Sequence, residues 1–168
     1  MGETNTVLVV DDDQEILDVL AKFIPTLGCE VLLARDGDEG LQLFLADRPP
    51  LVITDLRMPN MDGLTLMRAI KEASPRTEVL ILTGYADLES AVQAVRQGAF
   101  DYLPKPFDLG ALGRRVNQAL QHHRLVSEKE GLLEELERRV EARTAALVES
   151  QQRLHAVFNA IRDALVIV

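Results

Sequence analysis

The sequence has one cysteine, no tryptophan, a 4% content of aromatic residues and only short apolar runs. The single cysteine, Cys29, rules out an internal disulfide bond and is typical of a protein from a reducing compartment. No run approaches the ~18 apolar residues that a membrane-spanning helix needs, and the polar start of the chain lacks the pattern of a secretory signal peptide. We therefore expect a cytoplasmic protein without membrane contact.

Basic charge is also scarce, because the formal net charge at pH 7 is −9. The acidic excess lies almost entirely in the first 120 residues, which hold 19 acidic and 11 basic side chains. A nucleic-acid-binding surface needs clustered Lys and Arg, so we expect no direct nucleic-acid binding by this chain. The length of 168 residues allows one well-packed domain with an appendage.

Short apolar runs alternate with amphipathic stretches over the first 120 residues, which predicts a parallel sheet covered by helices on both faces. We predict five helices and five strands, the strands at residues 6–10, 30–34, 51–55, 78–82 and 99–103. Aspartates precede several of the helical stretches, and aspartate is a preferred N-cap residue. Asp13, Asp87 and Asp108 are therefore predicted to cap the first, fourth and fifth helices.

Carboxylates follow the first and third predicted strands. Asp11, Asp12 and Asp13 come directly after the first strand, and Asp55 ends the third. If these strands are neighbours, the carboxylates meet at the edge of the sheet where open α/β folds bind ligands. Such a cluster repels itself unless a cation neutralises it, and its hard oxygen ligands suit Mg²⁺, with Mn²⁺ as an alternative.

Strand and turn patterns stop near residue 111, and apolar residues then recur at every seventh position. These positions are Val126, Leu133, Val140, Leu147, Leu154, Ile161 and Val168. The companion heptad positions are mixed: Lys129, Leu136, Arg143, Ser150, Val157 and Ala164. The pattern predicts a modest or partner-dependent coiled coil that forms a homodimer, and an antiparallel return of the helix near Thr144 is the alternative. Residues 164–168 are β-like, and the chain stops there, so we expect that a further domain follows.

Five separated motifs resemble, in order, the receiver domain of two-component response regulators. They are Val9-Val10-Asp11-Asp12, Asp55, Met58-Pro59 with Asp62-Gly63, Thr83, and Lys105-Pro106. The resemblance covers residues 5 to about 121, and residues 98–107 are similar to the subgroup of enhancer-binding regulators.

The segment 136–144 is similar to the signalling helices that precede PAS sensor domains, and residues 156–168 resemble the opening helix and first strand of a PAS domain. These resemblances divide the chain into a receiver at 1–121, a coiled-coil signalling helix at 122–155 and the start of a PAS-like domain at 156–168. The missing output would then be a PAS-linked histidine kinase or a cyclic-dinucleotide enzyme.

The receiver resemblance implies a flavodoxin-like sheet with strand order 2-1-3-4-5. It implies that Asp55 accepts a phosphoryl group from a histidine kinase or a phosphotransfer protein. It also implies that Asp12 and Asp55 contact Mg²⁺ directly, that the Arg57 backbone carbonyl completes the protein ligands, and that Asp11 acts through water.

Further roles follow from the same resemblance. Lys105, before an expected cis bond to Pro106, would pair with Asp55 and then with a phosphoryl oxygen. Thr83 and Tyr102 would form the switch, with Tyr102 moving into the space that Thr83 leaves. Arg57 and Tyr85 would flank the attacking water and slow hydrolysis of the phosphoryl group.

Two other functions compete with the receiver. A haloacid dehalogenase-type phosphatase also has an aspartyl nucleophile at a strand end, but its second aspartate lies two residues later, where this sequence has Arg57. A phosphorylation-independent dimerisation scaffold would have lost key residues, and all five motifs are intact. The three histidines are expected to be solvated residues of the last helix: His122, His123 and His155.

Overall fold

The computed structural model describes residues 5–84 and 87–166, which form a five-stranded sheet, the helices that cover it and a long last helix. The strands are β1 (Thr6–Val10), β2 (Glu30–Ala34), β3 (Leu51–Asp55), β4 (Glu78–Thr83) and β5 (Asp101–Pro104). The helices are α1 (Gln14–Phe23), α2 (Gly37–Asp47), α3 (Gly63–Ala73), α4 (Leu88–Arg96) and α5 (Leu109–Val166), with a 3-10 turn at Ile24–Leu27.

The sheet is wholly parallel, and its strand order is β2-β1-β3-β4-β5. This order confirms the predicted flavodoxin-like fold. The chain moves outward from β1 to β2 and then crosses back to β3 on the other side of β1. The carboxyl ends of β1 and β3 therefore border the crevice where open α/β sheets bind ligands.

Each face of the sheet packs against its own set of helices. On one face, α1 and the start of α5 contribute buried residues such as Leu17 and Leu112. On the other face, α2, α3 and α4 contribute Phe44, Ile70 and Ala94. Burial on both faces explains why β1, β3 and β4 are continuous apolar runs rather than alternating ones.

Aspartates occupy the N-cap positions of the helices. Asp13, Asp36 and Asp62 accept hydrogen bonds from backbone N–H groups of α1, α2 and α3 at 2.9, 2.8 and 2.7 Å. Asp108 accepts one from α5 at 2.8 Å. Asp87 occupies the N-cap position of α4, as predicted, but its side chain makes no capping hydrogen bond.

The start of β5 also differs from the prediction, which placed it at Ala99. The Ala99 N–H bonds to the Ala94 carbonyl oxygen at 3.0 Å and so helps to close the end of α4. Its backbone donor is therefore used before the sheet begins, and β5 starts at Asp101. The sequence does not show which element ends or begins here, because apolar residues such as Ala99 and Phe100 fit both a helix end and a strand.

Two compact units divide the chain, one ending at Val126 and the other covering Ser127–Val168. α5 continues through Thr144 without a break, so the alternative of an antiparallel return near Thr144 is wrong. Ala164–Val166 is helical, so the predicted strand is wrong there, and residues 167 and 168 lie outside the described residues. Among the described residues, no helix is both long and apolar enough to cross a membrane.

Candidate functional site

The predicted carboxylate cluster forms at the carboxyl ends of β1 and β3. Asp11 directly follows β1, and Asp55 is the last residue of β3. One carboxylate oxygen from each of Asp11, Asp12 and Asp55 lies within 4.8 Å of the other two. The strand order causes this meeting, because β1 and β3 are hydrogen-bonded neighbours although 44 positions separate Asp11 from Asp55.

The three carboxylates differ in exposure and in their partners. Asp11 is fully buried, and its Oδ1 accepts a hydrogen bond from the Asp13 N–H at 2.9 Å. The Asp55 side chain is 13% exposed, and Asp12 is exposed. Asp55 is thus reachable from solvent while Asp11 is held rigidly beneath it, a geometry suited to a reacting group supported by a fixed charge.

Lys105 supplies the cation of this site. It follows β5, its N–H donates to the Thr83 carbonyl oxygen at 2.7 Å, and its bond to Pro106 is cis. Its Nζ lies 2.7 Å from Asp11 Oδ2 and 3.5 Å from Asp55 Oδ1. The ion pair with Asp11 is the shorter of the two, although the sequence prediction named only Asp55.

Charge and burial shift the pKa values of the two residues at the centre. Burial is the largest influence on the pKa of Asp55 and raises it. The positive charge of Lys105 lowers this pKa, and the negative charges of Asp11 and Asp12 raise it. The pKa of Asp55 therefore lies above its ordinary value. Burial lowers the pKa of Lys105, but the hydrogen bond and charge of Asp11, together with Asp55, leave it raised. The site therefore favours a charged lysine and disfavours an ionised Asp55 until further positive charge arrives.

Thr83 and Tyr102 lie on the two strands beyond β3. Thr83 is fully buried at the end of β4, and its hydroxyl donates to the Gly84 carbonyl oxygen at 3.1 Å. Tyr102 is half-buried on β5 and packs against the core cluster on the α2, α3 and α4 face. The strand register pairs Thr83 with Pro104 and Tyr102 with Ile81. Their coupled movement stays a prediction.

Gly63 shapes the loop over Asp55, a role that the sequence reading missed. Its N–H donates to the Leu56 carbonyl oxygen at 2.9 Å, which folds the loop back onto the end of β3. A Cβ at this position would overlap the Asp55 carbonyl oxygen. The Asp62-Gly63 pair was a visible turn sequence, but its close approach to Asp55 depends on the path of the loop.

Comparison with known proteins identifies this arrangement. Residues 7–117 match the response regulator receiver domain family. The chain belongs to this family. A receiver assignment leaves no support for the phosphatase alternative, since the matched region includes every residue of the carboxylate cluster.

Three relatives show how far the likeness extends. The DNA-binding transcriptional regulator NtrC of Escherichia coli (strain K12) is 42% identical over 117 residues, which are 70% of this chain and 25% of that protein. A receiver domain protein from Clostridium thermocellum is 37% identical with a TM-score of 0.70, over 73% of this chain and 98% of that one. NtrX from Brucella abortus is 33% identical with a TM-score of 0.73, over 77% of this chain and 30% of that one. The chain thus spans about a quarter of the NtrC length.

The receiver contains an ion pair beside the site that the sequence did not predict. Arg57, two residues after Asp55, donates from Nε to Asp87 Oδ1 at 2.6 Å, and its Nη2 lies 2.5 Å from the same oxygen. The pair holds the Asp87 side chain, which makes no capping bond to α4. Tyr85, the other residue predicted to slow hydrolysis, lies outside the described residues.

Two of the histidines lie on α5, and His122 is exposed as predicted, but both also make contacts at the opposite end of the receiver sheet that the sequence did not predict. His122 Nδ1 lies 2.5 Å from Glu78 Oε1, and Glu78 is buried at the start of β4. His123 Nδ1 lies 2.8 Å from the Arg76 carbonyl oxygen. His155 is exposed on α5, as predicted.

The donor set of the receiver site suits a hard divalent cation. Carboxylate oxygens are the ligands that Mg²⁺ prefers, and Mg²⁺ takes one or two protein carboxylates while it keeps several waters. Asp12 and Asp55 are both reachable from solvent, whereas Asp11 is buried and already bonded to Lys105. The residues present therefore fit Mg²⁺ with Asp12 and Asp55 as direct ligands.

Proposed function

We propose that this receiver accepts a phosphoryl group on Asp55 from the phosphohistidine of a histidine kinase or a phosphotransfer protein. Mg²⁺ bound by Asp12 and Asp55, by the Arg57 backbone carbonyl and through water by Asp11, would assist. One observation carries the proposal: Asp11, Asp12 and Asp55 converge within 4.8 Å, and Lys105 lies within ion-pair distance of both Asp11 and Asp55. Membership of the receiver family supports it.

In the proposed step, a carboxylate oxygen of Asp55 attacks the phosphorus atom of phosphohistidine. The new P–O bond forms as the P–N bond breaks, and the imidazole leaves with the electron pair. Asp12 and Asp55 would hold Mg²⁺, whose positive charge would offset the charge on the phosphoryl oxygens. Such a transfer needs positioning and charge neutralisation more than covalent assistance, which is what a fixed carboxylate beside a fixed lysine provides.

Lys105 has a defined part in this step. Before transfer it pairs with Asp11 and Asp55. After transfer Asp55 has become an acyl phosphate and its carboxyl group no longer carries the negative charge, so the Lys105 ammonium group can donate a hydrogen bond to a phosphoryl oxygen instead. The Thr83 hydroxyl, now bonded to the Gly84 carbonyl, would also turn to the phosphoryl group, and Tyr102 would follow inward. A local change in charge would thus alter the α4–β5 surface.

We further propose that α5 beyond Val126 pairs with a second copy of the chain. Apolar side chains of this unit are exposed at helical spacing: Leu132, Leu133, Leu136, Val140, Leu147, Leu154, Val157, Phe158, Ile161 and Leu165. At about 100 Å² each they offer on the order of 1,000 Å² per copy, or about 2,000 Å² for a pair, which is the size of a specific interface. Polar residues such as Arg143 within the seam would keep the pair modest.

The output of the whole protein is a separate proposal. A PAS-linked kinase and a cyclic-dinucleotide enzyme remain the outputs that the signalling-helix resemblance favours, with domain boundaries at 121 and 155. The relatives named NtrC are DNA-binding regulators, so a DNA-binding output elsewhere in a longer protein is a further candidate. The absence of nucleic-acid binding was predicted for these 168 residues alone, and the cytoplasmic location also stays a prediction.

Phosphoryl uptake tests the first proposal. The chain is incubated with acetyl phosphate and Mg²⁺, and intact-mass spectrometry measures the added phosphoryl group. Wild type should gain one such mass, whereas Asp55→Asn, and wild type with the Mg²⁺ chelated, should gain none. Uptake by Asp55→Asn would place the phosphoryl group elsewhere and overturn the assignment.

Light scattering tests the second proposal on the same samples, with Mg²⁺ and beryllofluoride as an acyl-phosphate mimic. A change in mass or shape in wild type but not in Asp55→Asn would make the dimer the readout of Asp55. A constant dimer would mean that the signal travels within a permanent coiled coil. A monomer in every sample would overturn the helical pairing.

A further inference from the structure

The first turn of α4 differs from the first turns of the other helices. In α1, α2, α3 and α5, the aspartate before the helix accepts a hydrogen bond from a helix N–H, at 2.7 to 2.9 Å. Asp87 stands in the same place before α4, yet its side chain caps nothing. The N-terminal N–H groups of α4 thus lack the side-chain acceptor that the chain supplies to its other helices.

Two observations accompany the missing cap: the Asp87 backbone, at φ −113° and ψ 16°, is not extended like that of Asp13, Asp36 and Asp62, and Arg57 holds the Asp87 side chain. Two guanidinium nitrogens of Arg57 lie 2.6 and 2.5 Å from the same Asp87 oxygen. The Asp87 side chain is 12% exposed, while the Arg57 side chain is 77% exposed. The carboxylate is therefore the fixed member of the pair, and the arginine is the member that can swing to another anion.

Arg57 also stands next to the place where negative charge would arrive. It is two residues beyond Asp55, in the loop that leaves β3. A phosphoryl group carries a charge of about −1.5 to −2 and presents three strong acceptor oxygens. Arginine binds such groups with two parallel N–H···O bonds, so a phosphoryl group at Asp55 competes directly with the single carboxylate oxygen of Asp87.

We propose that Arg57 and Asp87 form a latch, which a phosphoryl group on Asp55 opens by drawing the Arg57 guanidinium away. Asp87, once released, caps α4 after its backbone moves to the extended conformation that Asp13, Asp36 and Asp62 adopt. The latch deepens the proposed function and rests on it. It links the loop after β3 to the start of α4 through one ion pair between residues 30 positions apart.

Hydrogen exchange at the first turn of α4 tests the latch in the full chain. The amides of Glu89 and Ser90 occupy the positions that a capping Asp87 would bond. In wild type, Mg²⁺ with beryllofluoride should slow their exchange by about fivefold, the effect of a good cap. Arg57→Gln frees Asp87, and Asp87→Asn removes the charge that holds the arginine but keeps a good cap. Both variants should show the slow exchange before any beryllofluoride is added.

Two further variants separate the latch from a general effect on stability. Asp87→Ala removes both the latch and the possible cap, so Glu89 and Ser90 should exchange as in wild type without beryllofluoride, and beryllofluoride should not slow their exchange. Asp36→Asn is the matched control, because Asp36 already caps α2 and should leave α4 unchanged. Phosphoryl uptake measured by mass should be the same in Asp87→Asn as in wild type.

The outcomes distinguish the latch from the function on which it rests. If Asp55 takes up a phosphoryl group but Asp87→Asn and Arg57→Gln exchange like wild type without beryllofluoride, the latch is wrong and the proposed function stands. If both variants exchange slowly from the outset and beryllofluoride adds nothing to them, the latch is supported. If Asp55 takes up no phosphoryl group, the proposed function is wrong and the competition step is wrong with it.

Discussion

Replacing Lys105 by methionine removes the cation that holds the carboxylate cluster together. The Lys105 Nζ lies 2.7 Å from a fully buried oxygen of Asp11 and 3.5 Å from Asp55. Without it, Asp11 is left buried with no cation among the described residues, and three carboxylates remain within 4.8 Å. Methionine keeps the length and the apolar stem of the side chain, so the substitution chiefly removes charge.

The size of the effect follows from the burial of the pair. Removing one partner of a buried ion pair costs roughly 3–5 kcal/mol of unfolding free energy, because the remaining charge is left uncompensated. The Lys105 side chain is 23% exposed, which places the cost near the lower end, about 3 kcal/mol. With a urea dependence of about 2 kcal/mol per molar, the unfolding midpoint should fall by about 1.5 M.

Mg²⁺ should recover much of this loss. A ligand at about 100 times its dissociation constant stabilises the folded state by about 2.7 kcal/mol. The variant lacks the competing lysine charge, so Mg²⁺ should raise its midpoint more than that of wild type. Exposed Lys22 provides the control, since Lys22→Met should stay within about 0.5 kcal/mol of wild type.

Exchange of the β1 and β3 amides across a urea series reports on the receiver unit alone, without interference from the helix beyond Val126. Equal midpoints for Lys105→Met and Lys22→Met would refute the reasoning. So would a large loss that Mg²⁺ leaves unchanged, because the cost would then come from packing and not from charge.

Two further predictions concern Asp55 and its loop. Because burial raises the folded-state pKa of Asp55 above its unfolded value, its stabilising contribution is complete at low pH and is lost as the pH rises through the folded pKa. Without Mg²⁺, Asp55→Asn should therefore have a higher urea midpoint than wild type at neutral pH. If the difference between the two midpoints did not shrink on acidification, the argument would be contradicted. Gly63→Ala should lower the unfolding free energy by about 2 kcal/mol, because its Cβ would overlap the Asp55 carbonyl, whereas Gly131→Ala, with open space around it, should not. Equal effects at the two glycines would disprove the steric argument.

The strands and the position of Asp55 were predicted correctly because they depend on local sequence pattern. The central strands are buried on both faces, so they read as continuous apolar runs, and their ends were found within a residue or two. The position of Asp55 after such a run was equally visible. Its meeting with Asp11 was conditional on β1 and β3 being neighbours, which the receiver resemblance implied and the strand order confirms.

Contacts between distant residues could not be read in the same way. Arg57 and Asp87 are 30 positions apart, and His122 and Glu78 are 44 apart. Each of these residues has an ordinary local role, as a helix cap, a loop residue or a solvated helix residue. Local pattern therefore assigned that role, and the tertiary fold replaced it with an ion pair or a hydrogen bond.

Asp87 shows why such a replacement can point to function. Aspartate at this position satisfies the local preference for a helix cap, and the other capping aspartates show that this chain uses the preference. A helix cap stabilises a helix only modestly, and α4 forgoes it for an ion pair with a mostly exposed arginine, whose charge solvent screens. The free-energy difference between the two arrangements is therefore small. A new charge on Asp55 has only to shift that small difference to change the start of α4.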